Sequence, residues 1–303
     1  MNLQDIIAAL DRYWSRRGCS PLRPCDLEKS SGTFSPSTFF GVLTPGPFSS
    51  AGVEPCRRPG DGRFGENPDL LSSYFSYHVV MKPPPKDMQK VFMSSLAPLG
   101  IRTEEHDIRW IESDLDLPAL GASGPGWKIY LDGIETVRFT YLRRMASLEL
   151  AQACAEISYG LERLAMIAQG KKRVLDVRLD ERRTYGEMYG ERERQLSYYA
   201  FEGSDPSALR REMEDGLRGA SSLLDRGHYF PAYDLIMRCC RCLELLDARR
   251  ALPPAERASV IEKISSAAGA CAAAYLGPGA VRTPRDGGKE LKGGSADVPL
   301  RGR

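Results

Sequence analysis

Long hydrophobic runs are missing from this 303-residue chain. No apolar stretch approaches membrane-span length, which argues against a membrane-spanning helix. Residues 1–17 alternate apolar and polar positions instead of forming an unbroken apolar core, so no secretory signal is read there and a cytoplasmic protein is expected. An excess of one charge is also missing: 42 Lys and Arg face 40 Asp and Glu, leaving +2. That surplus is too small for nucleic-acid binding by this chain alone, so a partner is expected to supply most of any grip on RNA. Only three histidines occur, His78, His106 and His228, and they lie too far apart to predict a histidine metal site. The eight cysteines form no pair of C-x-x-C units. Cys239, Cys240 and Cys242 fall in a helical pattern where adjacent positions cannot converge on one ion, so free thiols in a reducing compartment are expected. No internal repeat is present.

What the chain does have is a concentrated stretch from Arg57 to Met81. Its first half, Arg57-Arg58-Pro59-Gly60-Asp61-Gly62-Arg63-Phe64-Gly65-Glu66, is a turn-rich basic loop. The glycines allow tight turns and close approach to a ligand. Arg58 and Arg63 carry forked donors suited to phosphate oxygens, and Glu66 offers an acceptor. The second half reads as a strand, with Tyr74, Ser76 and His78 on one face and Phe75, Tyr77 and Val79 on the other. A nucleotide clamp and a solvated hairpin loop both fit this stretch taken alone.

Around it, Leu3, Ile6, Ile7, Leu10 and Trp14 recur at helical spacing before Gly18. Residues 19–50 are rich in Pro, Ser, Thr and Gly with little periodicity; a connection of that length in a compact domain is usually functional. A second helix is predicted from Asp87 to Leu99, a short strand from His106 to Glu112, and a glycine-rich loop from Gly121 to Gly126. Two strand-like runs flank Asp132-Gly133, a strong hairpin signal. Such hairpins favour an antiparallel sheet over a doubly wound parallel one. A short strand then enters a helix at Gly160-Leu161-Glu162-Arg163, where the helix start favours anions. An ordinary surface Glu-Arg pair would look the same. Residues 204–276 read as three or more helices, and 277–303 as a disordered tail with almost no apolar residues.

Taken together, Arg63-Phe64-Gly65-Glu66 resembles motif 2 of class II aminoacyl-tRNA synthetases, and Gly160-Leu161-Glu162-Arg163 resembles their motif 3. More narrowly, the chain resembles the α subunit of the bacterial heterotetrameric glycyl-tRNA synthetase. The shared islands include Tyr13-Trp14, Arg57-Arg58-Pro59, His106-Asp107-Ile108-Arg109, Phe139-Thr140-Tyr141, Tyr159 to Met166 and Leu245 to Arg249, collinear across residues 10–276.

That resemblance implies an α+β fold: a six-stranded antiparallel catalytic sheet flanked by helices over 1–203, then a helical region over 204–276 for subunit contacts. It implies ATP and Mg²⁺, a two-step glycine–tRNA ligase reaction, an α dimer within an α₂β₂ assembly, and tRNA held mostly by the β subunit. Arg63 and Arg163 would be catalytic. ATP would meet Arg58, Arg63, Glu66, Tyr74 (or, failing that, Phe75) and Arg163. The amino-acid pocket would use Thr33, Ser76, His78, Ser123, Glu156 and Ser158, with Glu135 or Glu156 as a magnesium ligand. Ser76 and His78 stand where the family carries glutamines, and Ser123 where it carries a tryptophan. Leu70, Ala146-Ser147 and Ala155 also depart from its pattern. A paralogue activating another small amino acid and a non-catalytic assembly subunit are therefore the competing readings.

Overall fold

A computed structural model describes residues 1–277; the tail expected from 277 onward lies outside the described residues apart from Gly277. The helices are α1 Leu3–Ser15, α2 Pro36–Leu43, α3 Met88–Ser94, α4 Leu161–Gln169, α5 Tyr185–Tyr198, α6 Pro206–Leu224, α7 Tyr229–Ala248 and α8 Pro254–Leu276. The strands are β1 Ser20–Pro21, β2 Phe48–Arg57, β3 Ser73–Lys82, β4 Ile108–Glu112, β5 Leu115–Leu117, β6 Ala122–Gly124, β7 Gly126–Leu131, β8 Ile134–Met145 and β9 Leu148–Gly160.

Six strands pair antiparallel in the order β2, β3, β9, β8, β7, β4. This is the expected six-stranded sheet. Two small additions complete it: β1 runs parallel to β2, and the β5–β6 hairpin joins β8 through Ser123 and Arg144. Residues 121–126 are therefore not simply a loop, because most of them extend the sheet. The Asp132-Gly133 turn has φ of 50° and 84°, the left-handed pair that a tight hairpin between β7 and β8 requires.

Period-two alternation gives the three central strands two different faces. On one face Tyr77, Val79, Phe139, Ile157 and Tyr159 pack beneath α1, α3 and α4 in a continuous apolar core. The other face changes character along its length. Val80, Leu142 and Cys154 meet α2, α7 and α8 in a second core, and further along the strands the same face becomes polar. That change of character creates the site.

Helix α2 lies in the stretch where no periodicity was read. Its Thr38 to Leu43 are all buried, so it carries no amphipathic stripe. Lys82 at the end of β3 donates from Nζ to the carbonyls of Gly41 (3.1 Å), Val42 (2.8 Å) and Thr44, neutralising the negative end of α2. The α6–α8 helices share the second core with α2 and the sheet. Tyr233 stacks on Phe39 at 4.2 Å and donates its hydroxyl to the Phe34 carbonyl at 2.9 Å. Cys239, Cys240 and Cys242 are free and buried in that packing. No helix among the described residues is long and apolar enough to cross a membrane.

Candidate active site

A cavity of about 140 Å³ opens where the second sheet face turns polar. Strand β9 supplies Glu156, Ser158 and Gly160 to its floor, with Ser76 from β3 and Thr136, Arg138 and Thr140 from β8. The register puts His78, Ser158 and Arg138 in one row across the three strands, and Val80, Glu156 and Thr140 in the next. Leu115 and Leu117 of β5 form an apolar wall, while Arg58, Asp61, Asp69, Glu135 and Arg163 lie toward the mouth.

Of the residues singled out from sequence, Arg58, Tyr74, Arg163, Thr33, Ser76, Glu156, Ser158 and Glu135 line this one cavity. Arg163, in the first turn of α4, donates from Nε to the Asp69 carbonyl (3.0 Å) and from Nη1 to the Glu135 carbonyl (2.9 Å). Arg58 Nε and the Tyr74 hydroxyl both donate to the carbonyl of Ser30, at 3.0 and 2.7 Å, and the Arg58 guanidinium lies 5.3 Å from the Tyr74 ring centre. An aromatic wall and a cation are thus fixed from a single backbone atom.

At the floor, Thr33 donates from Oγ1 to Glu156 Oε1 at 2.6 Å. Burial pushes the Glu156 carboxyl up to about 7, against the pull of the Thr33 hydroxyl and the Arg138 charge. His78 lies beneath the floor and does not line the cavity. It is wholly buried, with Nδ1 3.2 Å from Ser158 Oγ and Nε2 3.4 Å from Glu156 Oε1. Burial, then the Lys29 charge, pulls its pKa down to about 3, so the ring is neutral near pH 7. The His78 ring packs so tightly on Gly32 that a Cβ there would lie 2.4 Å from it. His78 therefore props Glu156 and Ser158 from behind.

Besides His78, four expected site residues stand outside the cavity lining. Arg63 points away from the cavity and pairs with Glu202 at 2.5 Å, its guanidinium 4.8 Å from the Phe201 ring. Glu66 turns back on its own loop and accepts the Arg63 amide at 3.1 Å. Phe75 is on the opposite sheet face, edge-on to Tyr189 at 5.7 Å, as the alternation with Tyr74 dictates. Ser123 sits in β6 opposite Asp116 and Arg144, outside the cavity lining.

Among the other cavity residues, Arg138 is not singled out by the sequence and Glu162 only as part of the Gly160–Arg163 motif. Arg138 alternates with Thr136 and Thr140 on β8, a pattern readable in the strand once its cavity face is known. Glu162 accepts the Phe75 amide at 2.7 Å and the Tyr185 hydroxyl at 2.9 Å, tying β3 to α4 and α5. Burial raises its pKa to about 7. Helix α5, also unread, steadies the loop from behind: Glu193 accepts the Ser72 and Ser73 amides, and Ser197 Oγ accepts the Phe64 amide at 2.9 Å.

No group of three or more His, Cys, Asp or Glu among the described residues is arranged to hold a metal ion by itself. Glu135 and Asp61 at the mouth nonetheless fit a magnesium carried by phosphates, because Mg²⁺ is commonly held by one or two carboxylates plus phosphate oxygens. Glu156, enclosed by a hydroxyl and an imidazole at the floor, suits a ligand's N–H donors better than a hydrated ion.

Among solved structures, two of the pyrrolysyl-tRNA synthetase from Desulfitobacterium hafniense are similar. One is 12% identical, with a TM-score of 0.43 over 61% of this chain and 73% of that one. The other is 11% identical, with a TM-score of 0.43 over 61% of this chain and 75% of that one. The family model described as glycyl-tRNA synthetase alpha subunit matches residues 3–278, a span that takes in the sheet, the cavity and all the described helices. With that match, the chain belongs to the glycyl-tRNA synthetase alpha subunit family and is an aminoacyl-tRNA ligase subunit.

Proposed function

We propose that this chain is the catalytic subunit of glycine–tRNA ligase, that it forms glycyl-adenylate from glycine and ATP in the cavity described, and that it passes the glycyl group to the tRNA 3′ end. The observation that carries this reading is the cavity's polarity: guanidiniums and an aromatic ring at the mouth, and a buried carboxylate at the floor. Adenylation is an attack of a carboxylate on the α-phosphate, with pyrophosphate leaving. The protein's task is to position two anions and neutralise their charge.

Arg163 binds the γ-phosphate and covers the adenine, and Tyr74 forms the other side of the base slot. Arg58 adds charge beside them. Glu156 receives the glycine ammonium, held in place by the Thr33 hydroxyl and backed by the His78 ring. Arg63 bridges the glycine carboxylate and the α-phosphate. That role requires its loop to leave Glu202 and turn into the cavity, carrying Glu66 toward the base or the tRNA acceptor end. Glu135 and Asp61 would hold a bound Mg²⁺, which would supply positive charge to offset that of the phosphates.

The partners proposed are a second copy of this chain and the β subunit, in an α₂β₂ assembly in the cytoplasm. The near-zero net charge agrees with a β subunit that supplies most of the tRNA contact. A second reading, a paralogue that activates a different small amino acid, is favoured by Ser76. Its buried Oγ lines the cavity floor without a hydrogen-bond partner among the described residues, a place where a hydroxylated substrate side chain could bond.

Amino-acid-dependent ATP–pyrophosphate exchange, run on the purified chain with and without its β subunit, separates the readings. Exchange driven by glycine is the expected result. Exchange driven only by another amino acid establishes the paralogue, and a folded complex with no exchange establishes a non-catalytic subunit.

A further inference from the structure

Arg138 and, in its ionised form, Glu156 bring opposite charges to one cavity, and they make no ion pair with each other among the described residues. Glu156 is held by the Thr33 hydroxyl, with the neutral His78 ring packed 3.4 Å from it. Arg138 is held from the far side, and all three of its bonds leave from Nη2: to Ser113 Oγ at 3.0 Å, the Ser113 carbonyl at 3.5 Å and the Asp114 carbonyl at 3.4 Å. Its Nε is buried and has no partner among the described residues. A buried charged donor left unmet is costly, and the Arg138 Nη1, which is not enclosed, makes no hydrogen bond to the described residues and is free to meet a ligand. An opposed cation and anion in a poorly hydrated cavity would also be expected to close on each other unless each is held back. Here each is held by other groups.

In the sheet, Arg138 stands directly across from Ser158, and Glu156 lies two residues further along the same strand. Such diagonal neighbours are roughly 7–8 Å apart at the backbone. Side chains reaching inward from those positions frame a space suited to a small molecule with both charges. We propose that Arg138 binds the α-carboxylate of the amino-acid substrate while Glu156 binds its ammonium group, with Ser158 between them. The inference rests on the reading that this cavity activates an amino acid. It adds a residue to that reading and a reason why the ligand must be a zwitterion. In this arrangement Arg138 fixes one carboxylate oxygen and leaves the other for attack on the α-phosphate.

A purely structural Arg138, stapling β8 to the Ser113–Asp114 turn, would affect stability and turnover without singling out the amino acid. The test is ATP–pyrophosphate exchange on the complete enzyme with its β subunit, comparing the unsubstituted protein with Arg138→Gln and Arg138→Lys. The inference predicts that Arg138→Gln raises the glycine KM about 10- to 100-fold while the ATP KM stays within about twofold. Arg138→Lys, which keeps the charge and loses the fork, should fall between them. Glycinamide, which retains the ammonium and lacks the carboxylate, should inhibit the unsubstituted and Gln enzymes equally. A thermal melt on each variant separates loss of fold from loss of binding. If Arg138→Gln unfolds, the Lys variant and glycinamide decide. An unchanged glycine KM, or parallel loss of glycine and glycinamide binding, overturns the inference and leaves the proposed function standing. No glycine-dependent exchange in the unsubstituted enzyme overturns both.

Discussion

Thr33, His78 and Glu156 are at most 3% exposed; Thr33 bonds Glu156, and His78 bonds Ser158 beside it and packs against the carboxylate. Arg63 and Glu202, by contrast, are each about half exposed, and their pair bridges a loop to the π-helical turn Tyr199–Gly203 that follows α5. The floor is held by buried hydrogen bonds that are costly to break singly. The loop is held by a surface ion pair worth roughly 0–1 kcal/mol, which a phosphate can displace. A small amino acid offers few contacts and must meet a fixed geometry, whereas ATP brings enough charge to recruit its own ligands. The cavity floor and the loop beside the cavity are therefore built to different standards of rigidity.

Four changes would sharpen or break this contrast. Arg163→Ala should have the largest effect among them, lowering glycine-dependent exchange about 100- to 1,000-fold, because a charge that faces the phosphates is lost. Exchange reduced only a fewfold would remove Arg163 from the ATP site. Glu156→Gln comes next: it keeps the shape and loses the charge, so the glycine KM should rise about 10- to 100-fold with the ATP KM unchanged. A rise in the ATP KM instead would mean that the floor serves the nucleotide.

The pH profile follows from the same carboxyl. Burial raises its pKa to about 7, so below that value it becomes the neutral acid and loses its attraction for ammonium. The glycine KM should climb as pH falls, approaching about tenfold per pH unit below the pKa. His78 adds no step of its own there, since its pKa is pulled down to about 3. A glycine KM that is flat between pH 8 and pH 6 would rule out a carboxylate at the ammonium site. Glu202→Gln should have the smallest effect. Freeing Arg63 from its surface partner should lower the ATP KM, by at most about fivefold, with the glycine KM unmoved. A raised ATP KM would show that Glu202 assists the loop instead of competing for it.

The sheet was legible wherever local chemistry forces the outcome. Asp132-Gly133 fixed the β7–β8 hairpin, and the alternation in β3 put Tyr74 and Ser76 on the cavity face. Helix α2 was not legible because it is apolar on every side, and α5 because its charged sequence has little stripe beyond the Thr184–Glu187 capping box. Ala122–Gly124 looked like loop because glycines dominate the stretch, yet tertiary pairing with β5 and β8 makes it strand. Within the site, the Thr33–Glu156 bond joins residues 123 positions apart, which no local pattern encodes. The outward turn of Arg63 depends on Glu202, 139 residues downstream. Arg138 carries no motif, and only the register across Ser158 gives it meaning.

The central claim is that the exposed loop arginine works at the buried floor even though it rests away from it. Glycine-dependent ATP–pyrophosphate exchange by Arg63→Ala, in the complete enzyme, tests this most directly. The account predicts a loss of at least about 100-fold, with thermal stability changed little because the Glu202 pair is exposed. Exchange within a fewfold of the unsubstituted enzyme would contradict it.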